Sequence, residues 1–124
     1  MTCAITGRVY EKESGCPLVG LQIRAYDKDL FMDNLLGAAV TDAHGKFKIE
    51  YDYQKTSELF ADNPDIYIAI FSATYHPITD TKDRIRWDAS ESEHYDIAIP
   101  HKALHGETYN VARHHSSAPS SLLK

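Results

Sequence analysis

Apolar and polar residues alternate along most of this chain. Over residues 4–10, Ile5, Gly7 and Val9 fall on one side and Thr6, Arg8 and Tyr10 on the other. Leu21, Ile23 and Ala25 oppose Gln22, Arg24 and Tyr26 over residues 20–26, and Phe47, Ile49 and Tyr51 oppose Lys46, Lys48 and Glu50 over residues 46–52. Residues 94–99 repeat the alternation, and residues 36–42 carry a weaker form with Ala38 and Val40 inward. A period of two predicts strands with one buried face. Residues 65–73 contain Ile-Tyr-Ile-Ala-Ile-Phe, apolar on both faces, which predicts a central strand covered on both sides. A short stretch at 85–88 completes seven strands at the spacing of a sandwich. The predicted core is Val9, Ile23, Val40, Phe47, Ile49, Ile68 and Ile97.

Turn chemistry separates these runs. Gly15-Cys16-Pro17-Leu18-Val19-Gly20 is a glycine–proline turn, and Asp42-Ala43-His44-Gly45 reads as a tight hairpin. In the polar connection at 54–63, Thr56 or Ser57 would cap one helical turn, with Leu59 and Phe60 packing down. Alternation stops at His101, and the Ser-rich residues 116–121 read as a flexible tail. The expected organisation is a sandwich over residues 1–100 and a partly flexible extension over 101–124.

Three motifs stand in order: Gly7-Arg8-Val9, then Gly15-Cys16-Pro17-Leu18-Val19-Gly20, then Thr41-Asp42-Ala43-His44-Gly45-Lys46-Phe47. In these the chain resembles the transthyretin-like, carboxypeptidase-regulatory-like domains. The resemblance implies an all-β fold, a single antiparallel seven-stranded β-sandwich. It also implies a binding or accessory role, since such domains serve mostly as modules. Two enzyme families use this fold, 5-hydroxyisourate hydrolases and intradiol dioxygenases. The first ends in Tyr-Arg-Gly-Ser, where this chain has Thr108-Tyr109-Asn110-Val111, and residues 5–10 hold no histidine. No iron-ligand arrangement of tyrosines and histidines matches the second. The expectation is therefore a non-catalytic module with no catalytic residues.

Composition narrows the partners. The chain has 124 residues, is 43% hydrophobic and carries a formal net charge of −5. That length supports one domain with a real core. An acidic surface argues against binding nucleic acid or anionic membrane. No apolar run reaches the roughly 18–20 residues of a membrane span, and no secretory signal opens the sequence. The expectation is a soluble chain, leaning cytoplasmic. Cys3 and Cys16 lie at opposite ends of the first strand, beyond the ~7 Å of a disulfide.

The candidate chemistry is acidic. If strands alternate up and down, Asp27, Asp29 and Asp33 share one pole with Asp65, Asp52 and Asp62, and with the loop of Asp88, Glu91 and Glu93. Hard oxygen ligands on loops suit Ca²⁺, so Asp27, Asp29, Asp33 and Asp65 are the candidate calcium ligands. Asp42 falls at the other pole. The alternative is a set of separately solvated loop carboxylates. His101, His105, His114 and His115 read as a solvated tail, His44 and His76 as loop residues, and His94 as a partner of its loop acids. Tyr10, Tyr26, Tyr67 and Phe71 fall on outward sets of strands and are the candidate partner-binding residues. The expected function is docking of a partner protein or small ligand through these aromatics or the loops. A metal-dependent module is the second reading, and pairing of copies through edge strands is a further expectation.

Overall fold

The structure is a computed structural model, described here for residues 2–53, 63–104 and 110–111. Its strands are β1 (Thr2–Glu11), β2 (Leu18–Val19), β3 (Gln22–Asp27), β4 (Asn34–Val40), β5 (Lys46–Asp52), β6 (Ile66–Phe71), β7 (Pro77–Asp80), β8 (Ser92–Ile99) and β9 (Asn110–Val111). Short 3-10 turns occupy Lys82–Arg84 and His101–Leu104. Two sheets face each other, β5-β1-β8 and β4-β3-β6-β7, with a small β2-β9 pair alongside. The inward residues form one core. Ile5 and Val9 of β1, Ile23 and Ala25 of β3, Ile49 of β5, Ile68 and Ile70 of β6, and Ile97 and Ile99 of β8 are all buried. No helix among the described residues is long and apolar enough to cross a membrane.

The all-β sandwich follows the alternation in the sequence, with four differences. First, one pairing is not antiparallel: β1 and β8 run parallel, with Thr6 opposite His94 and Arg8 opposite Asp96. Second, the last strand of the four-stranded sheet is β7, not residues 85–88. Only Arg86 of that stretch makes a bridge, to Ile66. Third, Asp42–Gly45 does not close a hairpin within one sheet, because β4 and β5 belong to different sheets. It is a corner. Asp42 Oδ1 accepts the backbone N–H groups of His44 (2.8 Å) and Lys46 (2.9 Å), and Gly45 takes φ 74°. A Cβ on Gly45 would strike the Val9 carbonyl. The buried Thr41 fastens this corner, accepting from Leu21 N–H and donating to the Leu18 carbonyl (2.7 Å).

Fourth, β4 presents the opposite face from that predicted. Ala39 lies opposite the inward Ile23, and Gly37 opposite Ala25. Val40 is therefore 52% exposed, and Ala38 also faces out. A bulge at Ala25/Tyr26 then shifts the register and leaves Leu36 packed against the core. The other six predicted core residues, Val9, Ile23, Phe47, Ile49, Ile68 and Ile97, are buried.

Both cysteines are free. Beyond residue 100, Leu104 is buried and β9 pairs with β2. His101 is exposed but anchored rather than a loose tail residue. Its Nδ1 lies 2.9 Å from the buried Glu11 carboxylate, which also accepts from the Ser14 hydroxyl. Thr56, Ser57, Leu59, Phe60, Asp62, His105, Thr108, Tyr109, His114, His115 and residues 116–121 lie outside the described residues.

Candidate functional site

Three side-chain constellations outside the core can do chemistry. The first is a trough on the outer face of the β5-β1-β8 sheet, reaching the β4–β5 corner. Its volume is about 640 Å³, and Thr6, Arg8, Lys46, Lys48, His94 and Asp96 line it, with the exposed Val40 as apolar wall. Strand alternation points these polar residues outward, and the parallel β1–β8 register brings His94 beside Thr6. The Thr6 hydroxyl and His94 Nδ1 are 2.9 Å apart, and His94 Nε2 is 3.8 Å from Asp96 Oδ1. With the proton on Nε2, Nδ1 accepts from the threonine. Arg8 is held over the Tyr10 ring at 4.3 Å and donates to the Gly15 carbonyl. At the trough's corner, the N–H groups of Lys46 and His44 hold the Asp42 carboxyl below the usual carboxylate range.

The second is the acidic pole, where strand counting brings several of the named carboxylates together. Asp27 accepts from the Asp65 N–H (3.0 Å) and from the Tyr53 hydroxyl. Asp65 in turn accepts from the Asp88 N–H, and Asp88 from the Asn63 N–H. Asp29 and Asp33 form a neighbouring pair, Asp33 accepting the Asp29 N–H (3.1 Å) and the Tyr67 hydroxyl (2.5 Å). These carboxylates are thus spent largely on backbone N–H groups. Among the described residues no three His, Cys, Asp or Glu groups form a metal-holding cluster. Burial, with Asp65 and Asp29 near by, pushes the Asp27 carboxyl up. Asp33 is held down by the Tyr67 hydroxyl and the Asp29 N–H, while burial and the bond to Asp33 push the Tyr67 phenol up. Asp52 stays apart, accepting from Thr2, and Glu93 pairs with Arg86 (2.9 Å).

The third is the outer face of the four-stranded sheet. Tyr26, Tyr67 and Phe71 line a hollow of about 340 Å³ with Pro77, Asp80 and Lys82. Tyr10 is not on this face: β1 belongs to the other sheet, so Tyr10 and Tyr26 do not lie on adjacent strands. Nor is Tyr67 exposed. It is 4% exposed, stacked on Tyr26 at 5.3 Å and capped by Lys82. The second cover of β6 is thus a layer of side chains rather than another sheet. Phe71 and Tyr75 both hold the Arg24 guanidinium.

Sequence reasoning named none of the trough's polar residues as a site. The outward set of β1 and β5 was readable from alternation. The β1–β8 partnership was not, and without it His94 reads as a partner of loop acids.

Fold and topology define an all-β sandwich of a three-stranded and a four-stranded sheet, with a cation-lined outer face. Among solved structures, the chain is similar to a 9R-lipoxygenase from Cyanothece PCC8801 (20% identity, TM-score 0.52), over 80% of this chain and 16% of that one. It is similar to an (S)-allantoin synthase (14% identity, TM-score 0.51), over 86% of this chain and 42% of that one. It also aligns with sea bream transthyretin in complex with thyroxine (12% identity, TM-score 0.47), over 97% of this chain and 98% of that one. The chain thus spans 16% and 42% of the length of those two chains. No protein-family model and no curated protein matches it. The comparisons correct one expectation. Solved chains that share this fold include enzymes, so a non-catalytic assignment does not follow from the fold and two missing motifs.

Proposed function

We propose that this domain binds a small organic anion in the trough on the β5-β1-β8 face. One observation carries the reading. Arg8, Lys46 and Lys48 converge on a single concavity in a chain of net charge −5. The volume, about 640 Å³, lies in the range that holds small organic ligands. The exposed Val40 supplies apolar wall, and the cations supply orientation. Asp42 and Asp96 on the rim limit the net positive charge, which favours a ligand with one or two carboxylates over a polyanion. The test is a calorimetric titration of the full chain with aromatic mono- and dicarboxylic acids. Binding should weaken with added NaCl and fall at least ten-fold in Arg8→Gln and Lys46→Gln. Equal binding by both variants would refute the site.

A second reading rests on the Thr6–His94–Asp96 array. The Thr6 hydroxyl is bonded to the His94 imidazole, the pairing of a nucleophile with a base, and the Asp96 carboxylate lies 3.8 Å beyond, outside hydrogen-bond range. It supports ester hydrolysis within the same trough: His94 takes the Thr6 proton as the hydroxyl attacks an ester carbonyl and returns it to the leaving alcohol, and then takes a proton from water as the water attacks the threonine ester, returning it to the Thr6 oxygen as the carboxylic acid leaves. Hydrolysis of p-nitrophenyl acetate should be abolished in Thr6→Ala and retained in Thr6→Ser. Indifference to both substitutions counts against it.

A further inference from the structure

The end of the sandwich opposite the β4–β5 corner carries an unusual surface. The β3–β4 connection exposes three consecutive apolar side chains, Leu30 (92%), Phe31 (96%) and Met32 (75%). Leu35 and Trp87 are also more than half exposed. Leu30 and Trp87 both line a hollow of about 470 Å³, whose other walls include Asp27, Asp29, Asp65, Tyr53 and Lys28. Large apolar groups held in water beside one another mark interaction surfaces on soluble domains. Asp29 accepts from the Leu30 N–H (2.6 Å) and Asp33 from the Asp29 N–H, so the loop that presents them is internally braced.

We propose that this tip and Trp87 dock a cationic, leucine-rich segment of another protein. The charge around the apolar groups selects that occupant. Asp27, Asp29 and Asp65 line the hollow, Asp33 and Asp88 flank it, and Lys28 is the one cation among its described walls. Lysine or arginine on the partner meets these carboxylates while its leucines cover Phe31 and Trp87. A second copy of this chain would bring the same acids against themselves. An anionic lipid surface is repelled for the same reason, whereas membrane-seated loops carry basic flanks.

Trp87 is the only tryptophan in the sequence, so its emission reports this surface alone. The full chain is titrated with a short lysine–leucine peptide at low salt. The expected result is a saturable blue shift that weakens with salt. Phe31→Ser should weaken binding at least ten-fold with an unchanged thermal melt, because Phe31 touches almost nothing in the fold. Asp29→Asn should weaken it several-fold and flatten the salt dependence. A glutamate–leucine peptide should not bind. The proposal is overturned if the lysine–leucine peptide gives no shift or binds Phe31→Ser equally well. It is also overturned if phosphatidylcholine–phosphatidylserine vesicles give the shift and the peptide does not, or if sedimentation shows self-association that Phe31→Ser abolishes. Arg8→Gln should leave peptide binding intact, which separates this surface from the anion trough.

Discussion

Gly7 shows how tightly single positions are set in this sandwich. It lies on the inward side of β1, where a Cβ would fall onto the Phe47 ring and within 2.9 Å of the Tyr95 carbonyl. Its φ is unremarkable, so the requirement is for space rather than conformational freedom. Phe47 occupies the room that Gly7 vacates and is 5% exposed. Two substitutions test the pair. Phe47→Ala should cost about 3–5 kcal/mol, the range for deleting a buried ring. Gly7→Ala should cost about 1–3 kcal/mol through overpacking. The double variant should recover part of the second loss, since the added methyl then has somewhere to go. Denaturant melts of the three variants check this, and strict additivity would show that the two residues do not compete for one volume.

At the scale of the element, β4 shows where alternation reads correctly and where it fails. Residues Leu35 to Val40 are all apolar or glycine, so either face fits the inside equally well by sequence. The register against β3 decides, and it turns Ala39 in and Val40 out. Val40→Thr should therefore change stability by no more than about 0.5 kcal/mol, as expected for an exposed position. A chemical melt shifted by several times that amount would return Val40 to the core. The same limit explains β7. Pro-Ile-Thr-Asp has no strong alternation, and it becomes a strand because β6 offers an edge. Strands β1, β3, β5, β6 and β8 were legible because charged or polar side chains mark one of their faces, or because β6 is continuously apolar. Pairing between distant strands leaves no mark on local sequence, and for that reason the Thr6–His94 contact and the trough were not legible. The grouping of Asp27 with Asp65 and Asp88 at one pole follows from counting strands, whereas Asp52 does not join it.

At the scale of the whole molecule, the carboxylates pull stability in two directions as pH falls. Burial pushes Glu93 up, but the Ser90 N–H and hydroxyl and the Arg86 guanidinium outweigh it and hold the carboxyl below the usual range. A depressed carboxylate contributes stability that is present above its unfolded value, about 4.3, and is lost as pH falls through the lower folded value. Asp27 is the opposite case: burial raises it, so its ionised form opposes folding at neutral pH and that penalty vanishes once it is protonated. The two positions therefore predict opposite changes in the acid limb. Glu93→Gln should lower stability at pH 7 by about 1–3 kcal/mol, because Arg86 then loses an ionic partner above the Tyr95 ring. The effect should shrink as pH falls through the folded value of Glu93, which flattens the dependence on pH. Asp27→Asn keeps an oxygen for the Asp65 N–H and removes the charge. It should raise the melting temperature at pH 7 and leave it unchanged near pH 2–3, which steepens the dependence. Thermal melts of the wild type and both variants between pH 2 and 7 measure this directly. Parallel shifts of both variants across the whole range would mean that these two carboxyls titrate alike folded and unfolded, and that the pole and the Arg86 pair are tuned by packing rather than by charge.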